Sequence, residues 1–210
     1  MSYELLNPSH VLALAVEVVG GDVSDFTSLG RGVFVRPVSD DVRHVLKLQA
    51  WKGAQYSFTW GVSLAYLPNK LALPLRFHRT LKSTKLDLWE DHFTETQHFP
   101  DKAYIDSLRG ESVARRGLVR AWKWTKPRAT EWWAIASDLE GVVQLAERQA
   151  EKDHGPKVHH FPAPSIVQIL TLARLSRKRE VVASLESTAE DLQPHEYEAL
   201  LIAIERASSS

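Results

Sequence analysis

Large apolar residues alternate strictly with small or hydroxyl-bearing residues along residues 57–66. The apolar set is Phe58, Trp60, Val62, Leu64 and Tyr66, and the alternate set is small or hydroxyl-bearing: Ser57, Thr59, Gly61, Ser63 and Ala65. Because successive side chains of a strand point to opposite faces, this pattern predicts a β-strand with one face buried and the other open to water.

Four further segments have the length or the alternation of strands, namely residues 32–36, 44–51, 71–79 and 85–89. Pro74 lacks the N–H that a ladder requires, so the segment that contains it is expected at an edge of the sheet. Because the links between most of these segments are short, the sequence predicts an antiparallel sheet of about four to six strands.

Helical spacing of apolar residues marks the two ends of the chain. An N-terminal helix is expected to begin at Pro8, after a capping residue, and to end at Gly20. Helices are also predicted from Thr130 to about residue 151, from Pro164 with a stripe that continues to Val181, and from Pro194 onward. The prediction is an α+β fold, in which residues 1–129 form a helix and a sheet and residues 130–210 form a helical segment packed on that sheet as one unit.

The region between the sheet and the helical half is less regular. Asp101 is a candidate cap for a short helix that reaches Leu108. Residues 118–124 fit either a strand or a helical turn.

Five short segments occur in an order that resembles a known family: Phe26, residues 31–36, residues 46–49, residues 58–62 and the pair Trp132-Trp133. Over about residues 8–150 the chain resembles the uncharacterised bacterial family called domain of unknown function four-three-zero-four. The resemblance implies a helix, an antiparallel sheet and a tryptophan pair that leads into helices. That family has no established activity, so the resemblance bears on the fold alone.

Composition excludes several classes of protein. The chain has 210 residues, no cysteine, and 26 basic against 26 acidic residues. Disulfides, thiolate metal sites and cysteine nucleophiles are therefore excluded, and a neutral chain does not coat nucleic acid with its whole surface. No apolar run is longer than six residues, the length of the run 11–16, whereas a membrane span needs about 20. No Lys or Arg precedes Arg31, whereas a signal peptide begins with a positively charged region, so a cytoplasmic protein without membrane contact is expected.

The polar face of the predicted sheet is the first candidate site. Cationic and hydrogen-bonding side chains share this face, and the candidate ligand-binding residues are Lys47, Gln49, Thr59, Arg76 and His78. Such a surface suits a small anion or a polar peptide. The alternative is an ordinary solvated face, which antiparallel sheets often have.

The second candidate is a basic stretch, residues 109–128, with seven basic residues and one acidic residue. Cations interleaved with aromatic rings are typical of proteins that bind single-stranded nucleic acid. The candidate residues are Arg115, Arg116, Arg120, Trp122 and Trp124. Two alternatives stay open: the stretch faces the acidic helices that follow Glu131, or it binds another anionic partner.

The sequence contains no recognised catalytic, phosphate-binding or zinc-binding motif. It has no phosphate-binding glycine loop, no nucleophile elbow, and no histidine pair at a recognised zinc spacing. No cofactor, metal ion or catalytic residue is therefore predicted. The leading interpretation is a non-catalytic module that binds another protein or an anionic ligand. The alternatives are a small hydrolase or nuclease that uses the polar sheet face, and a nucleic-acid binder that uses the basic stretch.

Overall fold

The chain folds into an α+β structure, as the sequence predicts. The computed structural model describes residues 6–50, 56–67, 88–93, 110–152, 163–189 and 192–209, with only the backbone described for residues 88–93 and for Lys152. The predicted strand at 71–79, the predicted helix at 101–108, and the candidates Arg76 and His78 lie outside these residues.

A five-stranded sheet follows the N-terminal helix, and each strand pairs with the next one along the chain. Within the described residues the helices and strands are α1 (Pro8–Gly20), β1 (Thr27–Gly30), β2 (Val33–Pro37), β3 (Val42–Ala50), β4 (Tyr56–Leu64), β5 (Leu88–Phe93), α2 (Glu111–Ile135), α3 (Leu139–Lys152), α4 (Pro164–Arg174), α5 (Lys178–Ala189) and α6 (Pro194–Ser209). The predicted antiparallel sheet and helical C-terminal half are confirmed.

The predicted start of α1 is confirmed in detail. The Asn7 side chain accepts a hydrogen bond from the backbone N–H of His10 at 2.8 Å, and Pro8 occupies the first turn, where its missing N–H costs nothing. The helix ends at Gly20, and a 3₁₀ turn, Gly21–Val23, carries Asp22 immediately after it.

The hairpin between β1 and β2 brings the sheet against α1 through a glycine. Gly32 has φ +76°, and a Cβ atom there would lie 2.8 Å from both the Leu12 side chain and the Leu48 carbonyl oxygen. The Leu48 N–H donates to the Gly32 carbonyl at 2.8 Å, so the glycine joins β2 to β3 at a point of close approach.

Helix α2 differs most from the sequence prediction. Residues 118–124 are helical and belong to α2, which begins at Glu111 and runs without interruption through Pro127. The single helix expected from Thr130 to about residue 151 is in fact two helices, because α2 ends at Ile135 and α3 begins at Leu139. Pro127 is exposed, and the carbonyl it leaves unpaired belongs to the exposed residue Lys123, so water can solvate that carbonyl.

The residues cluster into two compact units, of which the first comprises Met1–Arg36, Val45–Gly61 and Glu90–Trp132. Its core contains side chains from α1, the sheet and α2. Phe58 on β4 packs against Trp122 of α2 with ring centroids 5.7 Å apart, and Leu118 is fully buried one turn earlier on α2.

The second unit comprises Pro37–His44, Val62–Trp89 and Trp133–Ser210. Helix α4 is its most buried helix and packs against α3, α5 and α6. The stripe predicted from Pro164 to Val181 belongs to two helices, because α4 ends at Arg174 and Ser176 adopts a φ of 60° in the turn that follows. The division into segments 1–129 and 130–210 that pack as one unit stays a prediction.

Candidate functional site

The polar face of the sheet is not open to water on β4, contrary to the expectation from the alternating pattern. Ser57 is 3% exposed and Thr59 is 6% exposed, so β4 is buried on both faces. Serine, threonine and glycine are small and uncharged, and a strand can bury them at little cost when their hydrogen bonds are met. Their alternation with apolar residues therefore predicts the strand but does not identify a solvated face.

Lys47 and Gln49 lie on β3 at the same side of the sheet, and both are partly buried. Strands β3 and β4 are of equal length, and the Ala65 N–H donates to the Asp41 carbonyl at 2.9 Å just beyond them. This register places Lys47 opposite Thr59. Burial lowers the pKa of the Lys47 ammonium group, because desolvation disfavours its charged form. Of the five candidates for this face, the structure brings together Lys47, Gln49 and Thr59.

The second candidate region, residues 109–128, lies almost entirely on α2. Positions three and four apart share a face of a helix, which groups Arg116, Arg120 and Lys123, with Trp124 beside them. All four residues are exposed, and we call them the basic face. Among the described residues, no acidic side chain pairs with Arg116, Arg120 or Lys123.

Two other cations of α2 lie on its flank and are paired with acidic residues. Arg115 Nη2 lies 2.6 Å from a carboxylate oxygen of Glu17 on α1 and 3.6 Å from one of Glu111, while Lys126 Nζ lies 2.6 Å from Asp22. These carboxylates raise the pKa of the Arg115 guanidinium. The acids that pair with this flank are Glu17, Asp22 and Glu111, and none of them belongs to the helices after Glu131 that the sequence alternative named.

Asp22 also receives a hydrogen bond from Trp122, whose indole N–H donates at 2.8 Å. The Trp122 side chain is buried against Phe58, so Trp122 does not belong to the exposed face where the sequence analysis had grouped it. The bonds from Lys126 and Trp122 together lower the pKa of the Asp22 carboxyl.

Trp124 is 39% exposed and carries a cation against its ring. The Arg128 guanidinium carbon lies 3.6 Å from the ring centroid, and Arg128 Nη1 donates to the Trp124 carbonyl at 2.8 Å. Trp124 and Arg128 lie one helical turn apart, and one hydrogen bond and one ring contact join them. An aromatic ring and a guanidinium group are therefore held together at the surface.

His44 is a buried polar residue that the sequence analysis did not single out. Its Nε2–H donates to the Ala136 carbonyl at 3.0 Å, and its ring stacks on Trp133 at 5.9 Å. Both contacts link β3 to the end of α2, which indicates a packing role. In the part of the chain that the structure describes, no group of three or more potential ligands could hold a metal ion.

A groove of about 530 Å³ lies among α3, α4 and α5. Three of its polar side chains are hydrogen-bonded within the groove: Gln168 donates to Glu147 at 3.0 Å, and the hydroxyls of Ser187 and Thr188 donate to the Ser184 carbonyl, each at 2.9 Å.

No protein-family model, curated protein or solved structure matches the chain. The resemblance drawn from the sequence therefore stays a prediction. None of the helices described here has the length and apolar character needed to cross a bilayer.

Proposed function

We propose that this protein is a non-catalytic binding module that holds an anionic partner on the basic face of α2. One observation carries the proposal: Arg116, Arg120 and Lys123 project from one helix face without an acidic partner among the described residues, while the neighbouring Arg115 and Lys126 are paired. Exposed cations grouped in this way raise the local concentration of anions.

The surroundings of the basic face support the same proposal. No acidic residue occurs between Ser112 and Thr130, so nothing on that part of α2 repels an anion. Helix α2 is fixed to α1 by the contacts of Asp22 and Glu17, so the face is held on a packed helix. Preorganised cations lose less conformational entropy on binding than cations on a loop.

The enzyme alternative has less support, because Thr59 is buried and Lys47 is partly buried on the sheet face that it requires. The lack of cysteine agrees with a cytoplasmic location, which we include in the proposal.

A heparin column tests the proposal directly. The triple variant R116Q/R120Q/K123Q is expected to elute at lower salt than the unaltered protein, since heparin is a polyanion held by these cations. The matched control is R148Q/K178Q/R179Q, which removes two arginines and one lysine from exposed positions on α3 and α5. Equal elution of the two triple variants, or no retention of the unaltered protein at low salt, would refute the proposal.

A further inference from the structure

The cations of the basic face form a row long enough to meet several phosphates of one nucleic-acid strand. A helix rises about 1.5 Å per residue, so the Cα atoms of Arg116 and Lys123 are about 10 Å apart along the axis of α2. A single strand with helical stacking carries one phosphate per about 3.4 Å, so three to four phosphates lie along this length. Each of the three cations, on a long side chain, can therefore reach a phosphate of the same strand.

The ring beside this row gives the second part of the argument. Trp124 follows Lys123 directly, and Arg128 stacks on its ring at 3.6 Å. Indole rings and guanidinium planes are the two side-chain surfaces on which unpaired bases stack. A peptide that carries only carboxylates would use the cations and leave this pair without a stacking partner, and in a duplex the bases are already stacked on one another.

We propose that the anionic partner is a single-stranded nucleic acid, with phosphates along Arg116, Arg120 and Lys123 and a base stacked on the exposed Arg128 guanidinium, which lies over the Trp124 ring. This inference rests on the proposed function, because it identifies the partner of the same face. Stacking uses the face of a base and not its edge, so this mode of binding tolerates changes of sequence.

The test is fluorescence anisotropy with a labelled 20-nucleotide oligothymidylate, titrated at several salt concentrations. Three phosphate contacts give a slope of log affinity against log salt of about −2, and R116Q/R120Q/K123Q should remove this slope. W124A should weaken binding by about fivefold to a hundredfold with little change in the slope, because stacking is not an ionic contact. W124F retains a ring and should recover most of the loss, and the R148Q/K178Q/R179Q control should bind as the unaltered protein does.

Competitors separate this inference from the proposed function. Polyglutamate and a duplex of equal length should each compete less well than unlabelled oligothymidylate. Retention on heparin without binding to oligothymidylate would overturn the inference and leave the proposed function standing. Normal binding by W124A, or stronger competition by polyglutamate or by the duplex, would do the same. If the unaltered protein is neither retained on heparin nor binds oligothymidylate, both proposals are wrong.

Discussion

The contacts of Asp22 allow a prediction of how α2 is held to the N-terminal helix. Asp22→Ala removes the acceptor of the Trp122 indole N–H, which donates at 2.8 Å from a side chain that is only 5% exposed. A hydrogen bond to a charged group contributes about 1.5–3 kcal/mol, and losing it leaves a nearly buried donor unpaired. The Lys126 ion pair is half exposed and adds less than about 1 kcal/mol. We expect the free energy of unfolding to fall by about 2–4 kcal/mol.

Urea unfolding at pH 7 measures this loss, and a double-mutant cycle assigns it. Trp122→Phe removes the donor and keeps most of the ring, so D22A should cost about 1–2 kcal/mol less in a W122F background than in the unaltered protein. Lys126→Gln isolates the ion pair and should have a small effect. A cost of D22A below about 0.5 kcal/mol, or an equal cost in both backgrounds, would refute this account of the contact.

The same carboxyl predicts a pH dependence. The pKa of Asp22 is lower in the folded protein than in the unfolded chain, because Lys126 and Trp122 donate to the charged carboxylate. Its stabilising effect is therefore fully present above the ordinary aspartate pKa, about 4, and is lost as the pH falls through the lower folded-state value. The difference in stability between the unaltered protein and D22N should shrink between pH 7 and pH 3. A difference that stays constant or grows in acid would contradict the assigned contacts.

Two further predictions concern packing. Gly141→Ala should lower the melting temperature sharply, because its Cβ would lie 1.6 Å from the Ile135 carbonyl oxygen, whereas Gly20→Ala, with no atom within 4 Å, should leave it unchanged or raise it. Equal effects of the two substitutions would contradict the close approach. Tyr66→Phe should lower the free energy of unfolding by about 1 kcal/mol, because its hydroxyl lies 2.7 Å from that of the buried Thr171. In a Thr171→Val background, which lacks that partner, Tyr66→Phe should lower the free energy of unfolding very little further. If urea unfolding shows that the losses of the two substitutions add, the hydrogen bond is refuted.

Within the described residues, periodicity predicted most strands and helices because the spacing of apolar side chains follows the backbone repeat of each element. On β4 the alternation marks the strand even though both of its faces are buried. Periodicity predicted α2 poorly because Gly117 and Pro127 lower the helical propensity of that stretch and tryptophans obscure its polar face. What holds α2 is tertiary: its buried face contains Leu118, Ala121 and Trp122. A contact such as Phe58–Trp122 joins residues far apart in the chain, and no local pattern encodes it.

The candidate residues of the basic stretch could be predicted only as a group, because the contacts that distinguish them are with residues far away in the sequence. The sequence shows seven basic residues in the stretch 109–128 but not their partners. Glu17 and Asp22 lie about a hundred positions before Arg115 and Lys126, and only the fold brings each pair within 2.6 Å. Likewise, Trp122 and Trp124 are the same residue type in the same basic stretch, and only the fold shows that Trp122 is buried while Trp124 is exposed.

The zero net charge of the chain does not weigh against an anion-binding face. At physiological salt the Debye length is about 8 Å, so exposed charges farther away than this are largely screened from a bound anion. The field at the basic face depends on the side chains within that distance. Among the described residues, Glu111 and Glu17 pair with Arg115, and Asp22, in the turn after α1, pairs with Lys126. In that part of the chain, Arg116, Arg120 and Lys123 have no acidic partner. Their number, and not the balance of charge over 210 residues, determines how steeply the binding of an anion should depend on salt.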